Sequence, residues 1–118
     1  MGLFSSKKTD TNDGGLSLVE QKGSSIITYD SNGKLIKSIS SSGGILQGYG
    51  TDFFVVTNGN VTNVYDSKCS YIKNVMTNNK KVMGVGGNTF SVNDGNTITI
   101  YDKNCKIVGT KKVSSLFS

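Results

Sequence analysis

The sequence contains one unit three times, and this repeat limits the possible folds more than any other feature. The dipeptide Tyr-Asp occurs at 29–30, 65–66 and 101–102, with a constant spacing of 36 residues. Further columns with that spacing are glycines 14, 50 and 86, glycines 23, 59 and 95, and the apolar sets Leu18, Phe54, Phe90; Leu35, Tyr71, Ile107; and Ile36, Ile72, Val108. A repeat of this length predicts a modular fold, in which each unit is one supersecondary structure and neighbouring units share a core.

The pattern within each unit predicts short antiparallel strands. The third unit shows it best, with the segments KVMGVG (81–86), TFSV (89–92), TITIYD (97–102) and KIVGTKKV (106–113). Polarity alternates along these segments, which is typical of strands, and they are separated by Gly, Asn and Asp. We therefore predict four strands and three tight turns per unit.

The turn residues support hairpins. Lys22-Gly23, Asn58-Gly59 and Asp94-Gly95 supply the positive φ that two-residue hairpin turns require. The turn after Tyr-Asp contains Gly33 in the first unit but Cys69 and Cys105 in the later ones. Because Cys avoids positive φ, we expect the two later turns to have a less strained geometry.

Residues 54–69 and 90–105 share the order Phe, Val, Gly-Asn, Tyr-Asp, Cys. This unit resembles the blade of a β-propeller, and the resemblance implies an all-β chain of three four-stranded antiparallel units. Propellers ordinarily have four to eight blades. We therefore expect half of a six-bladed propeller that is completed by dimerisation. The alternative is a monomeric β-trefoil, which the chain resembles in unit count, strands per unit and length.

The first unit lacks one strand. The segment that corresponds to the first strand of the other units is TDTNDG (9–14), which is too polar for a core strand. VSSLFS (113–118) or GLFS (2–5) could supply the strand instead. We expect a flexible polar segment at 1–13 and a single domain at 14–118, with units at about 14–43, 44–79 and 80–113, and 114–118 as the closing strand.

Glycines alternate along the first strand of the later units, at Gly48 and Gly50 and at Gly84 and Gly86. A strand position without a side chain lets another backbone approach closely. We expect these glycines to lie where neighbouring units meet.

The composition argues against an enzyme. The chain has no His, so neither a Ser-His-Asp nor a Cys-His site can form. The repeated carboxylates Asp30, Asp66 and Asp102 are the best-placed polar groups, but an Asp that enters a turn usually accepts backbone N–H bonds there. We interpret these three, with Tyr29, Tyr65 and Tyr101, as structural repeat positions rather than catalytic residues.

No cofactor or metal site is predicted. DTNDGG (10–15) resembles the start of an EF-hand calcium loop, but Gln21 occupies the position that requires a bidentate Glu. GVGG (84–87) is not followed by the Lys-Ser/Thr of a phosphate-binding loop.

The two cysteines, Cys69 and Cys105, occupy equivalent turns, which a repeat places far apart, so we expect reduced thiols and no disulfide. No signal peptide or long apolar run is visible, and we expect a cytoplasmic protein. The start, Met-Gly-Leu-Phe-Ser-Ser, fits the N-myristoylation pattern at Gly2, with Lys7 and Lys8 as a second membrane signal.

We predict a non-enzymatic protein-interaction or self-assembly module that binds a protein partner or forms a homo-oligomer. One alternative is a lectin-like protein that binds carbohydrate or another small ligand. Another is a peripheral membrane protein that is acylated at Gly2. The net charge of +5 favours acidic partners, but all 13 basic residues are lysines, and the lack of Arg argues against sequence-specific nucleic-acid binding.

Overall fold

The computed structural model describes residues 16–113, and these residues form eleven strands and no helix. The strands are β1 (Leu18–Lys22), β2 (Ser25–Tyr29), β3 (Leu35–Ser40), β4 (Ile45–Tyr49), β5 (Phe53–Asn58), β6 (Val61–Asp66), β7 (Tyr71–Met76), β8 (Lys81–Gly86), β9 (Thr89–Asn93), β10 (Thr97–Asp102) and β11 (Ile107–Lys112).

The strands form three separate antiparallel sheets in chain order. The first sheet is β1-β2-β3, the second is β4-β5-β6-β7 and the third is β8-β9-β10-β11. Each strand pairs only with its neighbours in the chain, so every sheet is a simple meander. The prediction of an all-β chain with repeated antiparallel sheets is confirmed. The trefoil alternative does not fit these residues, because a trefoil needs strands of different units to pair in one barrel.

The first sheet has three strands among the described residues, where the second and third have four. The polar segment 1–13, the two proposed donors of the fourth strand (2–5 and 114–118), Gly2 and the DTNDGG segment lie outside the described residues. The predictions made for them therefore stay predictions.

In each unit, the residue of the Leu/Phe column lies opposite the repeated tyrosine on the adjacent strand. Phe54 lies opposite Tyr65, Phe90 lies opposite Tyr101, and Leu18 lies opposite Tyr29. The rings of the first two pairs stack with centroids 5.2 and 5.3 Å apart. Such aromatic pairs stabilise a sheet and fix its register, which explains why both columns recur together.

The two-residue turns have glycine at their first central position. Gly23, Gly59 and Gly95 have φ of +61°, +64° and +102°. The residue after each glycine, which is the second central residue of the turn, does not share the positive φ. This is the arrangement of type II′ hairpin turns, whose twist matches that of the strands.

The expectation for the Cys-containing turns is wrong. Cys69 and Cys105 have φ of +63° and +62°, in the same left-handed region as Gly33 at +76°. In all three units the N–H of this residue donates to the carbonyl oxygen of the repeated aspartate. The backbone conformation of the turn is therefore the same in each unit, and the cysteines adopt the strained positive φ.

The core lies between the sheets, in two clusters. Phe53, Val55 and Val64 of the second sheet pack with Phe90 and Val92 of the third. Phe54 and Val56 pack with Val19 and Ile26 of the first sheet. All four residues of the run Phe53–Val56 are therefore buried, because alternate side chains enter opposite clusters.

The glycine prediction holds for the second sheet only. A Cβ at Gly48 would lie 2.9 Å from the Val85 Cβ, and one at Gly50 would overlap the Gly87 carbonyl oxygen. At Gly84 the nearest atom would be the Ser91 Oγ at 3.8 Å, and at Gly86 nothing lies within 4 Å. Among the described residues, the third sheet has no neighbour on that side.

Candidate interaction surfaces

The second sheet has one face that packs against the third sheet and an opposite face that packs against the first sheet. We call these the forward face and the backward face. In the second sheet, Val55 and Val64 point forward, and Phe54 and Tyr65 point backward. In the first sheet Thr28 points forward, and its hydroxyl donates to the Ser67 carbonyl oxygen at 2.9 Å.

This forward-to-backward packing occurs twice within the chain, from the first sheet to the second and from the second to the third. It leaves two faces that no other described residue covers. They are the backward face of the first sheet (Leu18, Glu20, Ile27, Tyr29) and the forward face of the third sheet (Thr89, Ser91, Ile98, Ile100), and we call them the two end faces.

The end faces are more polar than the packed faces. Thr89 and Ser91 stand where the second sheet has the buried Phe53 and Val55. On the first sheet, Glu20 stands where the other units have Val56 and Val92. Polar outer faces keep the terminal units of a repeat array soluble.

Apolar side chains nevertheless remain on both end faces. Ile98 and Ile100 on the third sheet are half-buried, and Ile100 corresponds to the fully buried Val64. Leu18 on the first sheet is 38 % exposed, although the equivalent Phe54 is fully buried. The mixture of polar and apolar groups is typical of interfaces between proteins that also exist separately.

The polar contacts that side chains make between the sheets are not repeated. The Gln21 side chain donates to the Gly44 carbonyl oxygen at 3.0 Å and accepts from the Leu46 N–H at 2.8 Å, which joins the first two sheets. Lys103 Nζ lies 2.7 Å from Asp52 Oδ2, which joins the second and third. The other carboxylate oxygen of Asp52 is buried without a hydrogen-bond partner.

The repeated aspartates hold their own turns. In each turn the Asp Oδ1 accepts two backbone N–H bonds at 2.8–3.0 Å, from Asn32 and Lys34 to Asp30, from Lys68 and Ser70 to Asp66, and from Asn104 and Lys106 to Asp102. The three carboxylates lie in three different sheets. Within residues 16–113, no group of three or more His, Cys, Asp or Glu could hold a metal ion.

The repeated tyrosines have different surroundings. Burial raises the pKa of Tyr65 and of Tyr101. Tyr29 lies opposite Leu18 in the strand register, where the other units have Phe. Its hydroxyl donates to Glu20 at 3.0 Å, and this hydrogen bond raises the Tyr29 pKa. Tyr29 is the member of the column that lies on an end face, because Val19 and Ile26 on the other face of its sheet pack against the second sheet.

The two cysteines are free thiols at different junctions. Cys69 packs against the cluster between the first and second sheets, and Cys105 against that between the second and third. Burial raises the pKa of both thiols, that of Cys105 to about 11. Both are therefore protonated and weakly nucleophilic at neutral pH.

One repeated apolar column is not core. Leu35, Tyr71 and Ile107 begin the outermost strands and are 54, 55 and 63 % exposed. The sequence offers one signal for this difference, because a lysine precedes or follows each of them within two residues. No helix within residues 16–113 is long and apolar enough to cross a membrane.

No protein-family model and no curated protein matches the sequence. Among solved structures, the chain is similar to BamB from Moraxella catarrhalis, a β-propeller protein, with a TM-score of 0.51 and 15 % identity. The match covers 79 % of this chain and 32 % of BamB, so the chain spans about a third of that protein's length. The similarity concerns the fold and supports propeller-like repeats.

Proposed function

We propose that this chain is a non-enzymatic self-assembly module, in which two copies pack end face to end face and complete a six-sheet ring. The forward face of the third sheet in one copy lies on the backward face of the first sheet in the other. The symmetry of the dimer creates this contact twice, so both pairs of end faces are covered.

One observation carries the proposal. At both junctions inside the chain, a forward face packs against a backward face. Among the described residues, the backward face of the first sheet and the forward face of the third sheet have no such partner. Val64 and Tyr101 belong to the same cluster between the second and third sheets. Ile100 and Tyr29 occupy the equivalent repeat positions, so Ile100 of one copy packs near Tyr29 of the other. Propellers are rings of such sheets, and three are fewer than a closed ring ordinarily contains, whereas six lie within the usual range.

The hydrogen bonds of the repeated aspartates and the raised pKa of the Cys105 thiol support a non-enzymatic role. Asp30, Asp66 and Asp102 are each engaged by the backbone of their own turn. The pKa of Cys105 is raised, where a nucleophilic cysteine requires a lowered one.

The mass in solution tests the ring. We expect light scattering after size exclusion to give twice the chain mass at high concentration and the chain mass on dilution, because the end faces are partly polar. Ser91→Lys on one end face and Leu18→Lys on the other each make the protein monomeric. Asn78→Lys, in the exposed loop between the second and third sheets, adds the same charge elsewhere and leaves the dimer intact.

A mixture of the two monomeric variants sharpens the test. Each still has one unaltered end face, so a Ser91→Lys chain and a Leu18→Lys chain together form a dimer with a single intact contact and weaker affinity. A wild-type protein that is monomeric at every concentration contradicts self-assembly. A dimer that both variants preserve assigns the contact to another surface and contradicts the role of the end faces.

A further inference from the structure

The outer rim of the sheets carries the net charge of the described chain. We define the outer rim as segments 30–40, 66–76 and 102–112, each of which comprises the Asp-capped turn and the outermost strand (β3, β7 or β11). These segments contain eight lysines and three aspartates. The other residues of 16–113 contain three lysines and three acidic residues, which cancel.

The aspartates of the outer rim are turned toward the protein. Asp30, Asp66 and Asp102 each accept two backbone N–H bonds in their own turn. Lysines such as Lys34, Lys68 and Lys106 are exposed beside them. The surface that solvent or a partner meets is therefore dominated by positive charge.

The outer rim also exposes large apolar side chains to solvent. Five of the eight exposed large hydrophobic side chains of the described chain lie on its strands, and they are Leu35, Tyr71, Met76, Ile107 and Val108. Each outermost strand has one edge that no described strand pairs with. Lysines and exposed apolar side chains thus lie close together on the same strands, as Lys34, Leu35 and Lys37 do.

From this combination we propose that the outer rim binds the surface of a membrane containing anionic phospholipids. Lysines near such a surface are attracted by its negative potential, and apolar side chains beside them enter the boundary between headgroups and acyl chains. The proposal requires no acyl chain at Gly2 and does not depend on the ring.

Nucleic acid fits the outer rim less well. Its recognition favours arginine forks and aromatic side chains that stack on bases, and the exposed aromatic ring on the outermost strands is that of Tyr71 alone. Lysine without arginine, next to aliphatic side chains, matches a lipid surface, where charge and apolar area matter more than directed hydrogen bonds.

Vesicle sedimentation tests the proposal with the full chain made in a bacterial host, which leaves Gly2 without an acyl chain. We expect the protein to sediment with vesicles of equal parts phosphatidylcholine and phosphatidylserine, not with vesicles of phosphatidylcholine alone, and to be released by salt. Binding to both kinds of vesicle or to neither overturns the proposal.

Paired variants locate the surface. Lys34→Gln with Lys106→Gln removes two charges from the outer rim and is expected to weaken partition about thirtyfold, since each lysine contributes about a fivefold factor. Lys80→Gln with Lys81→Gln removes the same charge at the start of the inner strand β8 and is expected to have a much smaller effect. Equal losses in the two pairs overturn the assignment to the outer rim.

Two further comparisons complete the test. Ile107→Ser on the outer rim weakens partition, whereas Ile45→Ser, similarly exposed on the inner strand β4, does not. If Lys7→Gln with Lys8→Gln abolishes binding, the N-terminal segment is the membrane site and the proposal is wrong. If the rim pair instead reduces only the binding of a soluble polyanion such as heparin, the partner is not a membrane.

Discussion

The middle sheet and the two end sheets are all antiparallel meanders, but they have different surroundings. The middle sheet is covered on both faces, and its strand β5 buries four consecutive residues, Phe53 to Val56. The equivalent strand of the third sheet buries only Phe90 and Val92. Equivalent positions therefore contribute differently to stability, and the difference depends on the neighbouring sheet rather than on the strand itself.

The largest expected contrast lies at the first residue of these two strands. Phe53→Ala removes a fully buried ring between the second and third sheets and should lower the free energy of unfolding by about 3–5 kcal/mol. Thr89→Ala, at the equivalent position on an end face, should change it by less than about 0.5 kcal/mol in the monomer. Urea unfolding of both variants at low concentration measures this; similar losses would mean that the end face is covered.

Thiol reactivity reports on the same contrast. Because the pKa of Cys105 is raised to about 11, from 9.0 for an ordinary thiol, the thiolate population at neutral pH should be about a hundredfold smaller. Alkylation followed by mass spectrometry should therefore be slow at pH 7 and accelerate as the pH rises toward 11.

A thiol on the end face gives the matched control. Gly33→Cys places a cysteine at the equivalent turn of the first sheet, where a φ of +76° is close to the values that Cys69 and Cys105 adopt. In the dilute monomer it should react much faster than Cys105. If reactivity falls as the concentration rises, the end face becomes covered by a second copy; equal rates in the dilute protein would contradict the difference in burial.

A smaller effect is expected from the glycines at the junctions. Gly48→Ala forces a Cβ against Val85 and should cost about 1–3 kcal/mol through overpacking. Gly84→Ala meets only the Ser91 Oγ at 3.8 Å and should be nearly neutral for the monomer. Thermal unfolding of the two variants compares them, and a large loss in Gly84→Ala would show that the third sheet has a close neighbour on that side.

The smallest effect is expected at the ion pair between the second and third sheets. Lys103→Met should lower stability by less than about 1 kcal/mol, because Lys103 and Asp52 are 40 and 34 % exposed and solvent screens their attraction. Lys106→Met, in the same turn, serves as the control and should have no effect. A loss of several kcal/mol in Lys103→Met would mean that this contact, and not apolar packing, holds the junction together.

Local features of the fold could be predicted from the sequence, and features that depend on neighbouring sheets could not. The strand predicted at 81–86 is β8, and that at 97–102 is β10. Both follow from alternation and turn residues, which act over a few positions. The less strained turn expected at Cys69 was wrong, because hydrogen bonds from the whole turn outweigh the preference of one residue.

Most of the candidate surfaces could not be identified from the sequence alone. A repeated apolar column suggests a core position, yet Leu35, Tyr71 and Ile107 are exposed in all three units. The end faces could be suspected only by comparing columns, since Ser91 and Glu20 replace the buried Val55 and Val56 of the middle unit. Such a comparison becomes informative once the packing direction of the sheets is known.

The sequence by itself determined the period of 36, the four-strand pattern of the unit and the glycine turns. These features arise from backbone conformation and contacts between adjacent strands, which lie within one unit. Only the tertiary structure decided which copies of a column are buried, why Gly48 is tightly packed and Gly84 is not, and where the positive charge is presented. Burial depends on whether another sheet lies opposite, and identical local patterns cannot specify that.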